Sequence, residues 1–260
     1  MCTAPDEDHG SRAKTAVKEE ERRLRVGDGA ALREFVAEPA TGFRRGAVLI
    51  IHDIWGYTDF YKDLTRRITA QGHAAALVDF FGRQGDLPEA MRAPERTGTK
   101  PEAMARAVER AQRLSDERFI ADLQTAVDDL QSRGAARVAA WGFCMGGRLA
   151  YVAAARVRGL VGVVGYYGHL QAPPERLAPL QLAGEIRIPI LAIFGGADPG
   201  IPADQIAKFH DALQTDKEFV TYPDAPHGFL RYGATTHRQA IDDALRRTYG
   251  FFMRVLATSG

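Results

Sequence analysis

Three residues far apart in the chain have the types needed for acyl transfer. They are a thiol at Cys144, a carboxylate at Asp198 and an imidazole at His227. A cysteine thiol is a weak nucleophile until a base within hydrogen-bond reach takes its proton. A histidine can be that base, and a carboxylate behind it fixes the tautomer and stabilises the imidazolium. Cys144 lies in Trp141-Gly142-Phe143-Cys144-Met145-Gly146-Gly147, with glycine at positions −2, +2 and +3. Before this stretch runs Arg137-Val-Ala-Ala-Trp141, which reads as a strand. After it runs Arg148-Leu-Ala-Tyr-Val-Ala-Ala-Ala155, which reads as a helix. A strand, a glycine-flanked sharp turn and a helix make a nucleophile elbow, here with sulfur in place of hydroxyl. Side chains at −2 and +2 would collide across such a turn. The helix start adds backbone N–H donors and a favourable dipole. The competing reading is a structural cysteine on a tightly packed turn, and the strand–turn–helix context weighs against it.

The elements that must position these groups alternate. The run Leu24 to Val36 reads as an entry hairpin around Gly27-Asp28-Gly29, and Glu38 to Gly46 as a loop. Ala47–Ile51 is a continuous apolar run of the kind a strand buried on both faces needs, and Ala74–Asp79 reads as the next buried strand. Between them Thr58–Ala70 has a helical pattern. Further helices are expected over Asp116–Arg133, Ala203–Leu213 and Thr236–Leu256, and further strands over Arg137–Trp141, Leu160–Tyr167, Ile190–Phe194 and Glu218–Tyr222. This spacing predicts an α/β fold with a mostly parallel central sheet and helices on both faces.

Ligands in such sheets bind at the carboxyl ends of the strands. Polar residues in that position are His52 and Asp53, Asp79 and Arg83, Cys144, Asp198 in Gly195-Gly-Ala-Asp198-Pro199, and His227 in the Pro-rich loop after the last strand. Nucleophile, acid, then histidine is the chain order used by α/β-hydrolases. Asp204 is a rival acid, but it falls where a helix begins and reads as a first-turn carboxylate. His52, His73, His169, His210 and His237 are assigned structural or surface roles. Two backbone N–H groups must face the developing oxyanion: Met145, next to the nucleophile, and Ile54, in the turn after the first long strand.

Composition sets the remaining bounds. The chain has 260 residues, is 45% hydrophobic and 26% charged, and carries a formal net charge of +1. That suits one globular domain over residues 23–260, preceded by a charged arm, 1–22, that is disordered or loosely helical. A near-neutral balance gives no electrostatic case for nucleic acid or an anionic membrane. Two cysteines, Cys2 and Cys144, argue for a reducing compartment, and the polar N-terminus lacks a signal-peptide core, so a cytoplasmic protein is expected, a monomer or small homo-oligomer. Residues 82–115 form a long connection with Pro88, Pro94 and Pro101 and a helical pattern over Glu102–Leu114. It reads as a lid or a plain surface insertion, with neither favoured.

The motifs Gly142-Phe-Cys-Met-Gly-Gly147, His52-Asp-Ile-Trp-Gly56, Asp79-Phe-Phe-Gly-Arg-Gln84, Gly195-Gly-Ala-Asp198 and His227-Gly-Phe-Leu-Arg231 together resemble the dienelactone hydrolase (carboxymethylenebutenolidase) family. The resemblance runs from about Val26 to Leu256. It implies an α/β-hydrolase fold, no metal or organic cofactor, and hydrolysis of a carboxylate-bearing lactone or enol ester, of the dienelactone to maleylacetate type, through an acyl-thioester. It further implies that Asp53 hydrogen-bonds the resting thiol, although the family position is glutamate and aspartate is one methylene shorter. It also implies that Arg83 and Arg231 grip the substrate carboxylate, as a guanidinium pair is suited to do. Trp55, Tyr57, Phe80, Phe81 and Phe229 are available to line an apolar pocket, or simply to pack. The alternatives are a broad carboxylesterase or thioesterase of another pathway, and a catalytically silent scaffold that binds a small acid.

Overall fold

Five-residue runs with no polar side chain determine the centre of the molecule. In the computed structural model, which describes residues 17–88, 91–92 and 98–257, β3 (Ala47–Ile51) and β4 (Ala74–Val78) are buried at every position. So is β5 (Val138–Phe143). Alternation is lost because both faces of these strands are covered, as a parallel sheet wound with crossover helices requires. With β1 (Val17–Arg25), β2 (Ala31–Pro39), β6 (Leu160–Tyr166), β7 (Ile190–Gly195) and β8 (Lys217–Tyr222), they form one eight-stranded sheet of order β1-β2-β4-β3-β5-β6-β7-β8. β1 and β2 are antiparallel to their neighbours, and every later pairing is parallel. The order turns back on itself between β3 and β5. Their carboxyl ends therefore open a crevice where His52–Ile54 and Cys144 meet, the usual position for a ligand in an open α/β sheet.

The helices follow the expected frame. They are α1 (Asp59–Ala70), α2 (Pro101–Arg113), α3 (Asp116–Ser132), α4 (Met145–Arg156), the single turn α5 (Pro179–Leu182), α6 (Ala203–Ala212), the single turn α7 (Phe229–Tyr232) and α8 (Arg238–Val255). Ser115 caps α3 by accepting the Arg118 N–H, and Asp116 and Glu117 in the first turn complement the helix dipole. Phe119, Leu123, Ala126, Val127 and Leu130 give α3 its buried stripe at three- and four-residue spacing. Each such Leu, Val or Phe, fully buried, contributes about 1.5–3 kcal/mol.

Two expectations are corrected here. Residues 17–22 are not part of an arm but the first two-thirds of β1, paired with β2 in continuous register from Val17↔Pro39 to Arg25↔Ala31. An edge strand needs backbone pairing but only one apolar face at most, and its charges keep other strands away. Lys18-Glu-Glu-Glu-Arg-Arg23 thus looks like a solvated arm while pairing as a strand. The loop expected from Glu38 likewise begins later, because Glu38 and Pro39 close β2. Residues 1–16, with Cys2, and Pro94 in the long connection lie outside the described residues.

Candidate active site

The turn after β5 holds Cys144 at φ 56°, ψ −114°, a left-handed backbone that is uncommon for any residue with a side chain. The glycines on either side permit it. A Cβ on Gly142 would run into the Gly146 carbonyl, and a Cβ on Gly146 into the carbonyls of Ile51 and His52. Cys144 donates its own backbone N–H to the Tyr166 carbonyl, 3.0 Å away. This ties the elbow to β6. The helix α4 that starts at Met145 is anchored by buried Leu149, Ala150, Tyr151, Val152 and Ala153. The sulfur is half-buried and is not in a disulfide.

The candidate base and acid converge on this sulfur from two other strand ends. His227 Nδ1 lies 2.6 Å from Asp198 Oδ2, and Asp198 Oδ1 accepts the Gly200 N–H at 2.9 Å. Burial opposes ionisation of Asp198, but the hydrogen bond and charge of His227, with the Gly200 N–H, hold its carboxyl below the usual range. Burial likewise opposes protonation of His227. Its hydrogen bonds to Asp198 and to Cys144 and their charges outweigh that and push it up to about 10. With Nδ1 committed to the carboxylate, Nε2 is the nitrogen left for the sulfur. Asp204, the rival acid, sits in the first turn of α6 and pairs on the surface with Lys208 at 2.8 Å.

A cleft of about 750 Å³ opens over the elbow. Ile54, Cys144 and Met145 line it together, as a nucleophile flanked by two oxyanion N–H donors requires. The N–H groups at a helix start have no intrahelical partner, so Met145 N–H is available by position. The turn that carries Ile54 is fixed by Asp53, whose Oδ1 accepts the Trp55 N–H at 2.8 Å and whose carbonyl accepts the Gly56 N–H at 3.1 Å.

Several expected site residues are elsewhere. The Asp53 carboxylate is engaged by other donors: it accepts from Trp55 N–H and from Arg231 Nη1, at 3.0 and 3.3 Å to its two oxygens. An aspartate side chain is short enough to bond back to its own turn, and here it does. Arg231 is buried against Asp53, donates to the Arg92 carbonyl at 3.1 Å, and lies over the Phe60 ring at 4.9 Å. Arg83 bridges Asp28 at 2.9 and 3.0 Å and Asp122 at 2.6 and 2.8 Å. Neither arginine is among the residues that line the cleft. Trp55 is also outside it. Its ring packs with Leu87, Ala103 and Ala107 under α2, and its Nε1–H bonds Tyr232 Oη at 2.7 Å. Tyr57, Phe80, Phe81 and Phe229 belong to the core. His52 is structural, with Nδ1 2.8 Å from the Asp53 carbonyl and Nε2 accepting the Phe80 N–H.

Sequence reading missed other parts of the wall. Val108, Ala111 and Gln112 show that α2 in the long connection forms one side of the cleft. Facing them are Arg148 and Arg176, which share Asp116: Arg148 reaches both carboxylate oxygens at 2.6 and 2.8 Å, and Arg176 one at 3.3 Å. Arg176 also donates to the Leu114 carbonyl and, at 2.5 Å, to the Gln112 carbonyl, so it caps the C-terminal end of α2. His169, assigned to a structural or surface role from the sequence, lines the cleft beside Cys144. It follows the carboxyl end of β6, the same kind of position that identified Asp198 and His227.

Sheet order, elbow and the order nucleophile–acid–histidine define an α/β-hydrolase fold. Comparison with known proteins makes this more specific. A model of the dienelactone hydrolase family matches residues 32–256. A Saccharolobus solfataricus protein named "Putative carboxymethylenebutenolidase" is 30% identical over 259 residues, covering 88% of this chain and 96% of that one. A Bradyrhizobium protein named "Probable 2-oxo-3-(5-oxofuran-2-ylidene)propanoate lactonase" is 27% identical, covering 81% and 84%. Among solved structures, a "Putative Dienelactone Hydrolase" from Klebsiella pneumoniae superposes with a TM-score of 0.79 at 26% identity, over 91% of this chain and 98% of that one. The chain belongs to the dienelactone hydrolase family, and it is a hydrolase. Among the described residues, no helix is long and apolar enough to cross a membrane.

Proposed function

We propose that the protein opens a carboxylate-bearing lactone or enol ester through a covalent thioester on Cys144. The observation that carries this reading is the line from Asp198 to His227, 2.6 Å long, that ends at the elbow thiol. The sulfur would attack the ester carbonyl, and the negative charge on its oxygen would be met by the N–H groups of Met145 and Ile54. Collapse breaks the C–O bond, and His227 gives its proton to the departing oxygen. Neutral His227 then takes a proton from water, whose hydroxide attacks the thioester. The acid leaves, and the thiolate–imidazolium pair is restored. An enolate leaving group suits sulfur, because it departs more readily than an alkoxide. The lactone in the name of the Bradyrhizobium relative carries a propanoate, which supports an acidic substrate.

A broad carboxylesterase or thioesterase is the second reading, and one observation favours it. The two arginines expected to hold a substrate carboxylate are already paired, Arg83 with Asp28 and Asp122, and Arg231 with Asp53. At the cleft wall Arg148 and Arg176 share one acid, Asp116, between them, and the carboxylate of Glu175 lines the same wall. Rates on an acidic lactone and on a neutral ester of similar size, for the wild type and Cys144→Ala, separate the readings. Preference for the acidic lactone by tenfold or more supports the first, and equal rates the second. Full activity in Cys144→Ala contradicts both.

A further inference from the structure

The turn after β6 brings a second histidine to the cleft at a cost in backbone strain. Tyr167 has φ 39°, and apart from Cys144 it is the only described residue other than glycine with a positive φ. Its N–H is held by the Ile193 carbonyl at 2.7 Å. The next residue, Gly168, packs its backbone against Gly147 and Arg148 in the first turn of α4, with no room for a Cβ. The chain is thus locked on both sides of the peptide that leads to His169. Strain of this kind, about 1–3 kcal/mol at a residue, concentrates where a side chain must be aimed. What the turn aims is the His169 ring, which lines the cleft with Cys144 and lies 5.7 Å, centroid to centroid, from the ring of His227. On its other side the ring lies against Gly200, in the turn that carries Asp198.

His169 is thus open to the cleft yet outside the Asp198–His227–Cys144 line. Burial and the neighbouring charges of His227 and Arg148 hold it below the ordinary histidine range, against the pull of Asp198 and a hydrogen bond to the Gly200 backbone. The ring lies against Gly200, whose N–H is already given to Asp198, so the polar group Gly200 has left to offer the ring is its carbonyl, an acceptor. A neutral imidazole has one donor and one acceptor. With the donor facing Gly200, the other nitrogen is an acceptor. The side of the cleft it serves follows from its neighbour, because His227 delivers its proton to the departing oxygen. A group beside His227 therefore stands by the leaving portion of the substrate.

We propose that His169 is a specificity-determining residue that accepts a hydrogen bond from a hydroxyl or N–H on the leaving side of the ester. This deepens the hydrolase reading above and rests on it. Substrates that bring such a donor bond the ring nitrogen, whereas those with an ether or methyl at that place displace the solvent around this exposed ring and give it no donor in return. Sites built around a hydrogen bond discriminate in this way.

The test uses two esters of one acid, a 2-hydroxyethyl ester and its 2-methoxyethyl ether, with wild type, His169→Phe, His169→Gln and Cys144→Ala. The wild type should favour the hydroxylated ester in kcat/KM by about tenfold. In His169→Phe the ratio should fall to near one. His169→Gln, whose amide oxygen also accepts, should recover part of it. The Gln variant also keeps the test sound if Phe does not fold. A wild-type ratio near one, or an unchanged ratio in both variants with hydrolysis still dependent on Cys144, overturns the role of His169 and leaves the hydrolase intact. Hydrolysis of these esters that survives Cys144→Ala, or no hydrolysis of any ester, overturns the hydrolase reading and this proposal with it.

Discussion

Arg231 Nη1 lies 3.0 Å from Asp53 Oδ2, and both side chains are buried beside the turn that presents Ile54 to the cleft. The pair joins the loop after β3 to the turn α7, which follows directly on His227. It therefore couples the positions of two parts of the site that are 178 residues apart in sequence. The same carboxylate accepts the Trp55 N–H, so Asp53 holds the turn that carries Ile54.

Removal of one partner from this pair leaves a buried charge uncompensated. Asp53→Ala should destabilise the protein by about 3 kcal/mol, read from urea denaturation. It should also lower kcat by more than it raises KM, because the turn bearing the Ile54 N–H loses two of its ties. Unchanged stability would mean that the pair carries no structural weight.

Arg83 should behave as a structural residue. Asp122 is buried, and Arg83→Ala strips it of a guanidinium at 2.6 Å. A loss of roughly 2–3 kcal/mol in stability is expected. The ratio of rates on acidic and neutral substrates should stay within about twofold, since the side chain does not reach the cleft. Selective loss on acidic substrates would restore the carboxylate-clamp role implied by the family resemblance.

The state of His227 has a pH signature. Its pKa is raised from 6.5 to about 10 by Asp198 and Cys144 against burial. A histidine whose folded pKa lies above its unfolded value lends stability that is complete below the unfolded value, near 6.5, and is lost as pH rises through the folded value. Stability should therefore decline between about pH 6.5 and 10, and His227→Gln should flatten that part of the curve. Imidazole NMR should find His227 protonated at pH 8. In Cys144→Ala its midpoint should drop, because one of the groups that raise it is gone.

Asp198→Asn keeps the shape of the turn but leaves His227 without its anionic partner. Hydrolysis should fall roughly a thousandfold or more in kcat, with the protein still folded by circular dichroism. Asp204→Asn, on the exposed face of α6, should cost almost nothing. A large loss from Asp204→Asn would mean that the acid has been assigned to the wrong carboxylate.

Much of this arrangement is legible in sequence, and the parts that are not share a cause. Ala47–Ile51 and Ala74–Val78 announce buried parallel strands because nothing polar interrupts them, and Gly142 and Gly146 announce a turn that no Cβ could enter. Cys144, Asp198 and His227 follow from strand ends and chain order. β1 was hidden because an edge strand can be almost wholly charged. The partners of Arg83 and Arg231 were hidden because an arginine's ion pairs are set by distant residues, here 55, 39 and 178 positions away. His169 could have been found by applying the strand-end rule to β6 as it was applied to β5, β7 and the last strand. The role of α2 as a cleft wall could not, since it depends on Arg176 reaching the end of a helix more than sixty residues earlier.

The central claim is that Cys144 carries the acyl group. Intact-protein mass spectrometry after rapid acid quenching, with an activated ester or acidic lactone as substrate, tests it most directly. The wild type should show a mass increase equal to the acyl portion, mapped by peptide analysis to Cys144, and Cys144→Ala should show neither the adduct nor turnover. Continued turnover by Cys144→Ala, or an adduct mapped to any other residue, would contradict the account.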